Sequence, residues 1–138
     1  MMTPDYAAAL RASTSGYTGT RERAIRRASD LFDFYCRLFS EPRVPRHCRA
    51  TINAVIAYFV VPDDVMPESD LGPVGLCDDL FVAAYAFRVL RRELPGEVLY
   101  DAWEGDDSLE DAMEEVYRES RAEVGKKAKD ILKMAGLS

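Results

Sequence analysis

The chain has 138 residues, 48% of them hydrophobic and 30% charged, which suits one globular domain with a real core and excludes an intrinsically disordered chain. A net charge of −6 argues against a general binder of nucleic acid or anionic membrane, since both are held by Lys and Arg against phosphate. The charge is uneven: residues 1–50 carry nine Arg against five acids, 51–100 three Arg against eight, and 101–138 six bases against eleven.

Met1 to Tyr6 has neither the basic nor the apolar part of a secretory leader, and three cysteines, Cys36, Cys48 and Cys77, lack a disulfide-like spacing. Both features predict a reducing compartment, the cytoplasm by default. The longest uncharged run, Ala50 to Pro62, has thirteen residues, against the roughly twenty of a spanning helix. Integral membrane insertion is therefore not expected, while peripheral contact stays open.

Residues 1–18 read as a flexible arm or a short helix over 4–12, with Pro4 in its first turn, followed by a Ser, Thr and Gly-rich loop at 13–19. Thr20 then suits the N-cap of a helix running to about Ser40. Its predicted inward stripe is Ile25, Ala28, Phe32, Tyr35 and Phe39, at three-four spacing. Pro42 and Pro45 end it.

A helix over about 45–60 shows Cys48, Ile52, Val55 and Phe59 on one face, widened by Val44, Ile56 and Val60, and another over 76–94 shows Leu76, Leu80, Ala83, Phe87, Leu90 and Leu94. Phe81, Ala84 and Tyr85 widen that second face, as a central helix requires. A helical turn over 97–104 carries Trp103. The last helix starts at Asp107 or Ser108, with Asp107 and Glu110 spaced as a capping box, and runs to Met134 with Leu109, Met113, Val116, Ser120, Val124, Ala128 and Ile131 inward. Gly125 is its weak point, costing roughly 1 kcal/mol relative to Ala. The pattern predicts one all-α domain over 1–138, a compact bundle of about five helices around the hairpin of 45–60 and 76–94.

Between those two helices lies an acidic connection with three prolines, Pro62, Pro67 and Pro73, and six carboxylates, Asp63, Asp64, Glu68, Asp70, Asp78 and Asp79. An apolar helix ending in Tyr58 and Pro62, then Asp64, Pro67 and the acid Glu68, then Gly75, Asp78 and Asp79 opening a second apolar helix, resembles the YkvA-like domain of unknown function, DUF1232. The resemblance covers about residues 50–90. It departs at Glu68, where many members have Asp, and in a longer link from Ser69 to Val74. It implies a helical fold and supplies no activity.

Two roles are open for the acids. Asp63, Asp64, Asp78 and Asp79, brought together by an antiparallel hairpin, would repel unless a hard cation such as Mg²⁺, Mn²⁺ or Ca²⁺ joined them. Alternatively Asp64, Asp78 and Asp79, with Pro67 and Gly75, are structural, the Asp side chains capping free N–H groups. The second role explains why Asp is preferred to Glu.

His47 is the only histidine, and no Cys-x-x-Cys pair anchors a zinc site with Cys36, Cys48 and Cys77. Gly72 to Gly75 lacks the Lys and preceding strand of a phosphate loop. The Arg-rich front, with Arg23, Arg26 and Arg27, and the acidic rear, with Glu114 and Glu115, suit pairing within the chain or across a subunit contact. The sequence therefore predicts a non-enzymatic module that binds another protein or itself. The alternative is a divalent-metal-dependent hydrolase or nuclease using the connection at 63–79.

Overall fold

The computed structural model describes residues 4–60 and 72–137, and every regular element among them is helical. Helix α1, Pro4–Thr14, opens on a proline, where the missing N–H has no helical partner to lose. It closes where the Thr14 hydroxyl turns back on the Leu10 carbonyl at 2.7 Å. Leu10 is buried. Tyr6 donates its hydroxyl to the Phe59 carbonyl at 2.6 Å and sets its ring 5.0 Å from Phe32.

The helix expected over 20–40 is two helices, α2 (Glu22–Arg26) and α3 (Ala28–Phe39). At Arg27 the backbone N–H closes on the Ala24 carbonyl at 3.0 Å, and a new ladder starts from the Arg27 carbonyl. Thr20 is not the cap. Arg21 takes that place in a left-handed conformation, φ 58°, without a side-chain cap bond. The predicted stripe of Ile25, Ala28, Phe32 and Tyr35 is buried across the break, and Leu31, Phe34 and Leu38 widen it. Phe39, predicted inward, is the last residue of α3 and is 46% exposed.

Helix α4, Arg46–Val60, starts on the Pro45 carbonyl, which accepts from the Cys48 and Arg49 N–H groups. Its predicted face is buried, the widening residues Val44 and Ile56 included, and Tyr58 joins it, whereas Val60, also expected on that face, is 36% exposed. A 3₁₀ turn, Gly72–Leu76, leads into α5, Cys77–Glu93. Leu94 leaves the helix in an extended conformation, as the residue before Pro95 prefers. Helix α6 is Gly96–Ala102 and α7 is Leu109–Val124.

The predicted capping box at Asp107 and Glu110 does not form; the N-cap is Ser108, whose hydroxyl accepts the Asp111 N–H at 3.1 Å. Asp107 itself has a left-handed φ of 65° and faces Arg27. The last helix does not run through to Met134. At Gly125, φ 53°, it gives way to a 3₁₀ turn, Gly125–Lys127, before α8, Ala128–Ala135. A side chain at that φ is strained, so the glycine is a built corner rather than only a weak helix residue.

The architecture is an all-α bundle around the hairpin of α4 and α5, as the periodicities predict. Helix α5 packs on α4, α7 and α8, and α3 packs on α1 and α4. From Cys77 to Ala84 every residue of α5 is buried, the signature of a helix covered all round. Tyr35, fully buried, ties α3 to α5 by donating its hydroxyl to the Ala83 carbonyl at 2.5 Å. Among the described residues no helix is long and apolar enough to cross a membrane.

Because Leu80 is fully buried at the centre of this packing, Leu80→Ala should cost about 2–5 kcal/mol through lost burial and a residual cavity. Urea unfolding followed by circular dichroism measures it, with the slope unchanged if the native state stays compact.

Candidate functional site

The predicted acidic site divides at the boundary of the described residues: Asp63, Asp64, Pro67, Glu68 and Asp70 lie outside them, whereas Gly75, Asp78 and Asp79 lie within. Gly75 is buried in the 3₁₀ turn that precedes α5. Asp78 and Asp79 occupy the first turn of α5, and both are fully buried. Asp78 accepts the Tyr58 hydroxyl at 3.1 Å through one oxygen and the Asp79 N–H at 3.0 Å through the other.

Tyr58 is in the last turn of α4, so this bond links the end of one hairpin arm to the start of the other. Carboxylates taken out of water cost several kcal/mol each unless hydrogen bonds and fields compensate. The first turn of a helix supplies both, as free N–H groups and the positive end of the dipole. Asp fits there because its short side chain folds back on a local N–H, which Asp78 does.

Cys77, beside the pair, is fully buried. Burial pushes its thiol up to about 12, with the Glu123, Asp78 and Asp79 charges adding and Arg21 opposing. A thiol held that high stays protonated at neutral pH and is a poor nucleophile. Burial and Asp33 likewise raise Cys36 to about 11, with Arg37 opposing.

A second constellation lies along α7. Arg23 and Arg27 hold Glu115 at 2.5 and 2.9 Å, and Arg27 also reaches Asp107 at 2.6 Å. Arg21 bridges Glu119 and Glu123 at 3.2 and 3.1 Å. Arg26 pairs with Glu22 and donates to the Tyr17 carbonyl, and Glu114 pairs with Arg88. The basic front and acidic rear thus meet within one chain. Arg49 is similarly engaged, donating to the Phe39 and Glu41 carbonyls past the end of α3. On Glu115 burial works to raise the carboxyl, but the hydrogen bonds from Arg23 and Arg27 outweigh it and hold it below its ordinary value.

The histidine and cysteines do not converge. Cys36 is on α3 and Cys77 opens α5, whereas His47 and Cys48, in the first turn of α4, meet Glu93 in the last turn of α5. Among the described residues these three place one ligand atom each within 4.8 Å of one another, with His47 Nε2 2.9 Å from Glu93 Oε1. Glu93 escapes sequence reasoning because nothing in its local pattern marks it as a ligand. Both His47 and Glu93 are exposed, which suits a surface ion pair.

A cleft of about 440 Å³ opens between α3 and α4, lined by Cys36, Phe39, Ser40, Asn53 and Ile56. It was hidden in the sequence because Phe39 falls on the stripe of an unbroken helix.

Two outcomes follow from these bonds. Glu115 has its carboxyl depressed on folding, so its contribution is complete above the ordinary carboxylate range and is lost as pH falls through the lowered value. Glu115→Gln should therefore flatten the acid limb of stability against pH, as measured by urea midpoints. Tyr58→Phe should cost roughly 1–3 kcal/mol, since it removes a buried donor from a carboxylate.

The chain is 28% identical over 123 residues, 89% of its length and 84% of the relative's, to an uncharacterized protein, ORF9, of Methanothermobacter thermautotrophicus. No solved structure matches it. Residues 48–85, from the first turn of α4 to the third of α5 and including Tyr58, Asp78 and Asp79, match the family described as protein of unknown function DUF1232.

Proposed function

We propose that the chain is a non-enzymatic helical interaction module that binds a second copy of itself through the α3–α4 cleft. The observation that carries this reading is an apolar opening of about 440 Å³ with Phe39, 46% exposed, on its lip. Val60, on the other helix of the pair, is 36% exposed. A patch holding both a recess and an aromatic side chain can complement itself across a two-fold axis, and aromatic anchors in recesses carry most of the energy of such contacts.

The cleft replaces the charged contact as the physical basis. Arg23, Arg27 and Glu115 already satisfy one another in the chain, so a partner would have to break those pairs. For the same reason binding to nucleic acid is not expected. The three free cysteines support a reducing compartment, which we take to be the cytoplasm.

Size-exclusion chromatography with light scattering tests the proposal. The expected result is a concentration-dependent dimer that persists at high salt, because apolar contacts are not screened, and that Phe39→Ser converts to monomer. A monomer at every concentration and salt overturns it.

A second reading rests on the two adjacent, fully buried carboxylates of Asp78 and Asp79. With Asp63 and Asp64 they would hold Mg²⁺, Mn²⁺ or Ca²⁺, and a hydrolase or nuclease would use Mg²⁺ or Mn²⁺ to polarise phosphate and activate water. An ion bound only by the native state raises the melting temperature. This reading requires a rise at millimolar ion that Asp79→Asn abolishes. No rise in the parent protein removes it.

A further inference from the structure

The corner at Gly125 does more than end α7. Beside it lies a cleft of about 350 Å³ between α5, α7 and α8, whose lining includes Phe81, Tyr85, Tyr117, Lys126, Lys129 and Leu132. The floor is aromatic. The Phe81 ring lies 6.3 Å from Tyr85 and 5.8 Å from Tyr117, both tilted, and Leu132 adds an aliphatic wall. Phe81 is 2% exposed, so it forms the base, while Tyr85, Tyr117 and Leu132 are half-buried and face the opening in part.

The charged side chains of the rim, among the described residues, are all positive. Arg121, Lys126 and Lys129 are exposed, and among the described residues no carboxylate lines the cleft. Arg121 is fixed there by donating to the Gly125 carbonyl at 3.1 Å. Among the described residues Lys126 and Lys129 enter none of the ion pairs. Most arginines of the front half are held by carboxylates or carbonyls, whereas these two lysines, like Lys127 and Lys133 beside them, are not. Their placement in a chain of net charge −6 makes the corner a local positive field.

Size, floor and rim agree on one ligand chemistry. A cleft of this volume lies at the lower end for small-molecule sites, ring faces favour a flat aromatic or short apolar body, and unpaired ammonium groups favour an anionic head. The Arg88 guanidinium covers one face of the Tyr117 ring at 3.6 Å, so the accessible apolar surface is Tyr85, Leu132 and the rest of Tyr117 over the buried Phe81. The geometry points to a binding site for a small amphiphilic anion, an apolar body against Tyr85, Tyr117 and Leu132 with a carboxylate, sulfonate or phosphate held by Lys126 and Lys129. It is separate from the α3–α4 cleft and stands whether or not the chain dimerises there.

The probe is 1-anilinonaphthalene-8-sulfonate, paired with N-phenyl-1-naphthylamine, which has the same rings and no charge. Fluorescence titration of the full chain at neutral pH and low salt should show saturable binding of the sulfonate. Lys126→Ala with Lys129→Ala should weaken it roughly three- to tenfold, the worth of two partly exposed charges, and leave the uncharged probe unchanged. Leu132→Glu should weaken both probes, and Phe39→Ser at the other cleft neither. Equal loss of both probes in the double lysine variant, or no loss of either, overturns the proposal. Lauric acid displacing the probe as a monomer supports it. Co-sedimentation with phosphatidylglycerol vesicles that needs the two lysines, with no displacement by monomeric lauric acid, overturns the cleft and places the lysines on a membrane surface instead.

Discussion

Helix α5 is buried on every side over its first two turns, and the rest of the bundle is arranged to make that possible. A helix hydrophobic all round cannot rest on a single partner, so α4, α7 and α8 close around it and Tyr35 ties α3 to its Ala83 carbonyl. The cost is that its N-terminal turn, with Asp78 and Asp79, must also be enclosed. Their burial is tolerable because free N–H groups and the dipole lie where the charges do, and because Tyr58 reaches over from the end of α4.

Electrostatics then fastens the outside. The pairs of α2 with α7 join residues separated by 88 to 102 positions, and several are half-buried, where attraction is screened less than at an open surface. They hold the N-terminal helices against the acidic face of α7. A charge distribution that looks, in sequence, like two complementary interaction surfaces is largely internal wiring, and what remains for a partner is apolar at α3–α4 and cationic at the Gly125 corner.

Much of this is legible from residue order. The faces of α4 and α5 follow their three-four spacing, and the hairpin and all-α class come from that periodicity together with the proline-rich interruption. What escaped reading involves local backbone choices. The predicted stripe stays buried across the break at Arg27 as far as Tyr35, and only Phe39, the last residue of α3, falls outside the core and beside a cleft. Gly125 was visible as a weakness, but a left-handed φ there, and the space beside it, is a matter of tertiary packing. At the site, the chemistry of Asp78 and Asp79 was apparent from their position at a helix start, whereas their complete burial depends on what covers α5. Glu93 beside His47 and Cys48 depends on two helix ends meeting, which no local pattern records.

The long reach of the α2–α7 and α5–α7 contacts has a consequence for biosynthesis. While the ribosome is still making α7, the greasy length of α5 has already emerged with one of its principal partners missing, and Arg21, Arg23 and Arg27 have nothing opposite them. The chain cannot close its core from the N-terminus forward. It must wait for residues 109–124, and a stalled or truncated product ending before them presents an oily rod to whatever chaperone or protease arrives first.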